Sequence, residues 1–229
     1  MIVDFHSHIL PCCDHGSTSV EMSVLQVRSA LKAGIDLIVA TPHYYNNNDT
    51  IDEFISRRSK CYEVLSRELK AQKIEASIVL GAEVNLQTDL LDHKDRLKDL
   101  CISGTKYMLV EPPIFTEWTN WVYNSIRGLR DLGIEPIIAH IDRYNEKNLK
   151  KLFENDYLYQ INVSSLTTFS GRRKINRFLK NNCVHVIGSD IHLNGPEYTY
   201  FYNAKNKFSG LFEFCGANAS EILNNNTVY

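Results

Sequence analysis

Two histidines, His6 and His8, flank Ser7 at the end of the largely apolar run 2–5. Residues two apart on a strand face the same side, so both imidazoles can address one metal ion. An H-x-H pair is a weak signal by itself. It gains weight because charged and imidazole side chains recur where later apolar runs end. Asp14 follows in a loop bounded by Pro11 and Gly16, His43 comes after Ala40-Thr41-Pro42, and Glu83 after Gly81-Ala82. Glu111 precedes Pro112-Pro113, His140 follows Ile138-Ala139, and Asp190 and His192 follow Gly188-Ser189. Singly, each has an ordinary alternative: a carboxylate after a strand is often a helix N-cap, and a lone histidine is often packed or on the surface. Together they read as a metal centre. Hard carboxylates mixed with imidazoles, with no cysteine in ligand spacing, suit Mn, Fe or Zn rather than a thiolate zinc site. Nine such groups exceed what one ion can use, so two or three ions are expected.

Residues so far apart in sequence meet only if a fold gathers them. Candidate strands cover 2–6, 36–41, 76–83, 107–111, 135–140, 158–163 and 184–190, several of them rich in Val and Ile on both faces, as parallel strands are. Helical patterns lie between them. Val20, Val24, Val27 and Leu31 share a face that ends at Gly34, and Thr50 with Glu53 forms a capping box ahead of Phe54, Cys61, Leu65 and Leu69. Trp118, Trp121, Val122, Ile126 and Leu129 form a third stripe closed by Gly133, and 171–179 a shorter one with Ile175 and Phe178 inside. Strand–helix alternation with nearly every candidate ligand at or just past a strand's C-terminal end favours a parallel barrel over a doubly wound sheet. The expected fold is α/β, one domain over 1–229.

Composition narrows the function classes. Apolar residues make up 44% and charged ones 23%, with a net charge of −2, so the chain can fill a core and lacks the basic surplus that nucleic-acid binding needs. No apolar stretch approaches the ~20 residues that span a bilayer, and the first residues do not read as a signal peptide, so a cytoplasmic protein is expected. The six cysteines, Cys12, Cys13, Cys61, Cys101, Cys183 and Cys215, show no paired spacing and are read as reduced thiols. The basic run Arg172, Arg173, Lys174, Arg177 and Lys180 reads as a solvated helix face, with a dock for an acidic or phosphorylated tail as the functional alternative.

The strings DFHSH, ATPHY, GAEV, LVEPP, PIIAHIDRY, QINVSSLT and VHVIGSDIH resemble the PHP (polymerase and histidinol phosphatase) superfamily. Within it they are most similar to the manganese-dependent tyrosine-protein phosphatases found with bacterial capsule and exopolysaccharide genes. The resemblance runs in order from His6 to His192. It implies a distorted (β/α)7 barrel holding a trinuclear site, with three Mn2+ expected and Fe or Zn possible in their place. His6, His8, Glu83 and Asp190 would hold the first ion, and Glu83 would bridge to a second completed by Glu111 and His140. Asp14, His43 and His192 would hold the third. Arg143 would contact the substrate phosphate and, with His192, act directly in catalysis. The implied reaction is hydrolysis of phosphotyrosine by hydroxide bridging the Glu83-linked ions. The implied substrate is a protein, such as the tail of a bacterial tyrosine kinase; a small phosphomonoester such as histidinol phosphate is the alternative. One loop departs from the family's L-P-G-I-D-D-G: here it reads Leu10-Pro11-Cys12-Cys13-Asp14-His15-Gly16, leaving His15 open as spare ligand, substrate contact or neutral replacement.

Overall fold

The computed structural model describes residues 1–224. Within them, short parallel strands alternate with helices: β1 (Val3–Ser7), β2 (Leu37–Ala40), β3 (His43–Tyr44), β4 (Ser77–Leu80), β5 (Glu83–Asn85), β6 (Tyr107–Glu111), β7 (Glu135–Ile138), β8 (Leu158–Asn162) and β9 (Val186–Gly188). The expected strand 36–41 is β2, followed beyond its end by the short β3, and the expected strand 76–83 is broken into β4 and β5. Pro42, with no N–H to give a ladder, separates β2 from β3, and its carbonyl accepts the Glu83 N–H at 3.1 Å. Gly81 separates β4 from β5; its carbonyl accepts a 2.7 Å bond from buried Arg58. Pairing runs β1-β2-β4 and β3-β5-β6-β7-β8-β9, all parallel.

The two ends of this curled sheet meet where β1 lies beside β9. Ser7 bridges to Ile191, the Asp190 N–H donates to the His6 carbonyl at 2.8 Å, and the His8 N–H to the Ile191 carbonyl at 3.2 Å. The approach is tight enough to require glycine. A Cβ on Gly188 would stand 2.4 Å from His6 Cβ and 2.8 Å from Gln160 Nε2. The expected distorted barrel, with seven strand positions, is the fold observed.

The helices are α1 (Val20–Ala33), α2 (Ile51–Ala71), α3 (Asn120–Asp131), α4 (Glu146–Phe153), α5 (Phe169–Lys180), α6 (Glu197–Lys207) and α7 (Ser209–Asn224). Gly34 ends α1 in the left-handed region (φ 80°), and Thr50 and Glu53 form the capping box of α2. Trp118 belongs to the loop before α3, where its indole N–H donates to the Pro113 carbonyl at 2.7 Å. Residues between β5 and β6 form two 3-10 turns, Leu90–His93 and Leu97–Leu100, in place of a crossover helix. None of the described helices is long and apolar enough to cross a membrane.

Two apolar layers hold the fold. The larger packs the helices on the outside of the sheet, through residues such as Val27, Phe54, Ile126 and Phe178. The smaller fills the barrel with Val3, Phe5, Val39, Leu109, Ile137 and Val186, and Ala219 and Ile222 of α7 join it. Each fully buried side chain of this size contributes about 1.5–3 kcal/mol. Gly188→Ala forces a methyl group into the β1–β9 seam and should cost about 1–3 kcal/mol, lowering Tm by about 2–4 °C per kcal/mol. Gly210→Ala, whose Cβ would meet nothing within 4 Å, is the control and should leave Tm unchanged. Equal Tm values for the two variants in a thermal melt would contradict this account of the seam.

Candidate metal centre

By simple alternation, Val3 and Phe5 facing the barrel interior would turn His6 and His8 away from it. A bulge prevents this. Between Asp4 and Ser7 the chain of β1 advances three residues while β2 advances two, from Ile38 to Ala40. The extra residue re-aims the strand, a common use of bulges beside active sites. Asp4, before the bulge, faces opposite to Val3 and Phe5; its carboxylate accepts the Ser189 N–H and hydroxyl, both at 2.7 Å, and burial pushes its pKa up to about 6.

His6 and His8 then converge on Glu83 and Asp190. Their Nε2 atoms lie 3.0 Å apart and are 3.1 and 3.2 Å from Glu83 Oε2, with Asp190 Oδ1 at 3.6 and 3.5 Å. Donors about 2.1 Å from one centre are separated by about 3.0–3.4 Å in octahedral or tetrahedral shells, so these four atoms fit one ion. A second group forms on the other oxygen of Glu83: His140 Nε2 is 2.9 Å from Glu83 Oε1 and 3.3 Å from Glu111 Oε1. His43 Nδ1 is 3.0 Å from Glu83 Oε2, and His8, His43 and His192 place nitrogens within 4.8 Å of one another.

The donors lack partners on the side facing this space. Glu83 Oε2, His43 Nδ1 and His192 Nε2 are buried without a hydrogen bond; the His43–Glu83 approach is close but not aligned for one. Buried polar atoms are rarely left so. Cations held among the three groups of donors would satisfy these atoms, and the residues present therefore fit a metal cluster.

Contacts behind the donors fix which atom faces the centre, the usual arrangement for metal-binding histidine. His6 Nδ1–H donates to Gln160 Oε1 at 3.2 Å, and that oxygen also accepts the His140 N–H at 2.6 Å. His8 Nδ1–H donates to Asp14 Oδ2 at 2.7 Å, and His192 Nδ1–H to the Asp190 carbonyl at 3.0 Å. Asp14 also accepts the N–H groups of His43 and Gly16, both at 2.9 Å. Its oxygens are engaged by His8 and the backbone beside the group formed by His8, His43 and His192. Gln160 Nε2 donates to Asn162 Oδ1 and Asn162 Nδ2 to Asp190 Oδ2, both at 2.8 Å. Gln160 and Asn162 were not among the sequence candidates; two buried amides alternating along β8 are the signal that could have found them.

The electrostatics follow from burial in company. Burial disfavours charge on His6, His8 and His140, yet neighbouring carboxylates hold all three above the ordinary imidazole value, His140 at about 10. Burial alone would raise Glu83 and Asp190, but the imidazoles around them hold both below the usual carboxylate range. His43 is pushed down to about 4 by burial. His140 (φ 29°) and Asp190 (φ 54°) both occupy the left-handed region that L-residues seldom adopt.

The cluster opens into a cavity of about 420 Å3 lined by His15, His43, Tyr45, Glu83, Glu111, Arg143, Asp190, His192 and Leu193. Arg143 reaches it from the turn after β7, with Nη1 3.3 Å from Asp190 Oδ2. His15 is exposed and stacks on His43 (4.6 Å between ring centroids) and His192 (4.7 Å).

Among known proteins, the family described as "Capsular polysaccharide synthesis, CpsB/CapC" matches residues 2–208. Tyrosine-protein phosphatase CpsB of Streptococcus agalactiae serotype V is 27% identical over 206 residues, covering 83% of each chain. Tyrosine-protein phosphatase YwqE of Bacillus subtilis is 27% identical over 241 residues, covering 100% of this chain and 94% of its own. A crystal structure from the work on YwqE of Bacillus subtilis and CpsB of Streptococcus pneumoniae, "unique metal-dependent tyrosine phosphatases", has a TM-score of 0.81 at 24% identity and covers 100% of this chain and 96% of the other. The lactonase Lmo2620 of Listeria monocytogenes shares the fold at a TM-score of 0.63 and 12% identity, covering 96% and 94%. With the family's pattern spanning nearly its whole length, the chain belongs to the CpsB/CapC family of capsular polysaccharide synthesis proteins.

Proposed function

We propose that the chain is a metal-dependent protein-tyrosine phosphatase acting on a phosphotyrosine protein, such as the tail of a bacterial tyrosine kinase that controls capsular or exopolysaccharide synthesis. The observation that carries this reading is Glu83: a buried carboxylate faced by four imidazoles, one oxygen left without a hydrogen bond, in a cavity that also receives Arg143. The named relatives support the substrate class. A cytoplasmic setting accords with six cysteines that are all free.

The donor set suits three Mn2+ ions. His6, His8, Glu83 and Asp190 would hold one, Glu83, Glu111 and His140 a second, and Asp14, His43 and His192 the third, with Asp14 also steadying His8 and His43. When bound, divalent ions supply Lewis acidity and a water of lowered pKa, which hydrolysis of a phosphomonoester dianion requires. The rest is the chain's own work. Arg143, a planar donor fork, grips two phosphoryl oxygens. Gln160 and Asp14 lock the tautomers of His6 and His8, so both keep a lone pair aimed at the centre. The leaving phenolate has a conjugate-acid pKa of about 10, which lessens the need for a proton donor.

A protein substrate needs contact area beyond the phosphate. Phe115 (94% exposed) and Phe169 (77% exposed) stand in the segments that follow β6 and β8, at the strand ends that bear the cluster. They supply apolar surface to the residues flanking phosphotyrosine.

Metal-stripped protein should hydrolyse a phosphotyrosine peptide only after Mn2+ is restored. His140→Ala should lose more than the about 10- to 100-fold typical of removing an outer partner of a metal ligand. Activity indifferent to both treatments would overturn the metal mechanism. A phosphotyrosine peptide should be turned over in preference to histidinol phosphate. In the Phe115→Ala/Phe169→Ala double variant, KM should rise about 5-fold or more for the peptide, corresponding to about 1 kcal/mol of lost contact, and stay constant for p-nitrophenyl phosphate. A matching rise for both substrates would remove the case for a docked polypeptide.

A further inference from the structure

We infer that Lys174 is a positioning residue for phosphate capture: its ammonium group fixes the turn from which Arg143 enters the cavity. The inference rests on the reading of Arg143 as the phosphate ligand.

Arg143 is weakly held by its own side chain, which is 42% exposed and makes a single 3.3 Å approach to Asp190. Its aim is therefore set by the backbone of the 3-10 turn Ile141–Arg143. A turn this short has little stability of its own. Its bonds are Arg143 N–H to the His140 carbonyl at 2.8 Å and Tyr144 N–H to the Ile141 carbonyl at 3.3 Å, and it starts from His140 in a disfavoured conformation.

External contacts supply what the turn lacks. The carbonyls on either side of Arg143, those of Asp142 and Tyr144, both accept from Lys174 Nζ, at 2.8 and 2.6 Å. From another direction the Asp142 carboxylate accepts the Asn162 N–H at 2.8 Å and the Ser165 hydroxyl at 2.7 Å. Asn162 also donates to Asp190 Oδ2, the oxygen that faces Arg143. The contacts close a ring that passes through Lys174, the turn, Arg143, Asp190, Asn162 and Asp142.

Lys174 is suited to this place. An ammonium has three donors and can serve two carbonyls two residues apart. It is half-buried; burial lowers its pKa, while the carboxylates of Asp142 and Glu146 support its charge, and its stem lies near the Phe178 ring, 5.7 Å from Nζ to centroid. The basic run on α5 is thus partly engaged within the chain. Arg172 donates to the Leu166 and Thr167 carbonyls, and Arg177 pairs with Glu146. The solvated face expected from sequence describes Arg173, Arg177 and Lys180, which are exposed, while Arg172 and Lys174 turn their donors onto backbone carbonyls.

The test measures inorganic phosphate binding by calorimetry, and KM and kcat for p-nitrophenyl phosphate, on the metal-loaded protein. Wild type is compared with Lys174→Met, Lys174→Arg, Ser165→Ala, Arg143→Ala and the Arg143→Ala/Lys174→Met double variant. Lys174→Met should weaken phosphate binding and raise KM about 10-fold with a smaller change in kcat, at unchanged metal content. Lys174→Arg, which keeps forked donors, should recover most of the loss, and Ser165→Ala should give a smaller shift in the same direction. In the Arg143→Ala background Lys174→Met should add nothing, because residues that act through one another are non-additive. Unchanged phosphate affinity in Lys174→Met, or an equal loss with and without Arg143, would overturn the inference. Should Lys174→Met not fold, Ser165→Ala decides: no loss of phosphate affinity, or the same loss without Arg143, rejects the clamp. An Arg143→Ala variant that binds phosphate like wild type would instead remove the assignment of Arg143 itself.

Discussion

One buried carboxylate organises this molecule. Glu83 presents Oε2 to His6, His8 and His43 at 3.0–3.2 Å and Oε1 to His140 at 2.9 Å. Charge buried alone would cost several kcal/mol, and here it persists only because imidazoles and, in the loaded protein, cations surround it. The arrangement is stable only while every imidazole holds its angle. That requirement explains why the far nitrogens of His6, His8 and His192 are each tied to an acceptor. It also explains why the acceptors are themselves held: Gln160 through Asn162, and Asp14 by backbone N–H groups.

The barrel meets this requirement by departing from regularity where the donors leave it. The bulge in β1 turns His6 and His8 inward, Pro42 breaks the second strand position just before His43, and Gly81 breaks the next just before Glu83. His140 and Asp190 are reached through left-handed backbone. Each irregularity costs regular hydrogen bonding or conformational energy, of order 1–3 kcal/mol for a strained backbone site. The regular parts of the strands, packed inside by Phe5, Leu109 and Ile137, offset that cost. Rigid apolar strands below and strained ends above are two aspects of one design: the first makes the second affordable.

Sequence disclosed the parts of this that have a period or a fixed spacing. The strand positions, the capping box at Thr50 and the stop at Gly34 were legible because local chemistry decides them. So was the recurrence of ligand types at strand ends. The breaks at Pro42 and Gly81 were not, because an apolar run reads the same whether or not the ladder is interrupted. The bulge was invisible for a related reason: H-x-H on any strand places both histidines on one side, but which side depends on register with β2. Gln160 and Asn162 went unread because an alternating pair of amides on one strand marks a shared face but not which residues it meets there. The helices α6 and α7 lack strong amphipathic spacing, and Ala219 and Ile222 of α7 gain meaning only once a barrel exists for them to enter.

The loop that departs from the family pattern acquires a physical reading from the same geometry. Asp14 is held below the usual carboxylate range, against burial, by His8 and by the N–H groups of His43 and Gly16. It works as a brace between the first strand and the second strand position. That role needs a carboxylate facing inward, and Asp14 supplies it. The following residue faces the other way, over the rings of His43 and His192, where an imidazole offers a flat apolar face and a polar edge. His15 therefore adds ring surface to the mouth of the cavity. The centre is graded: carboxylates and tightly braced imidazoles lie deep, and stacked imidazoles with Tyr45 and Leu193 lie outermost. In the proposed reaction the phosphate would sit against the deep layer and the aryl group beside the rings.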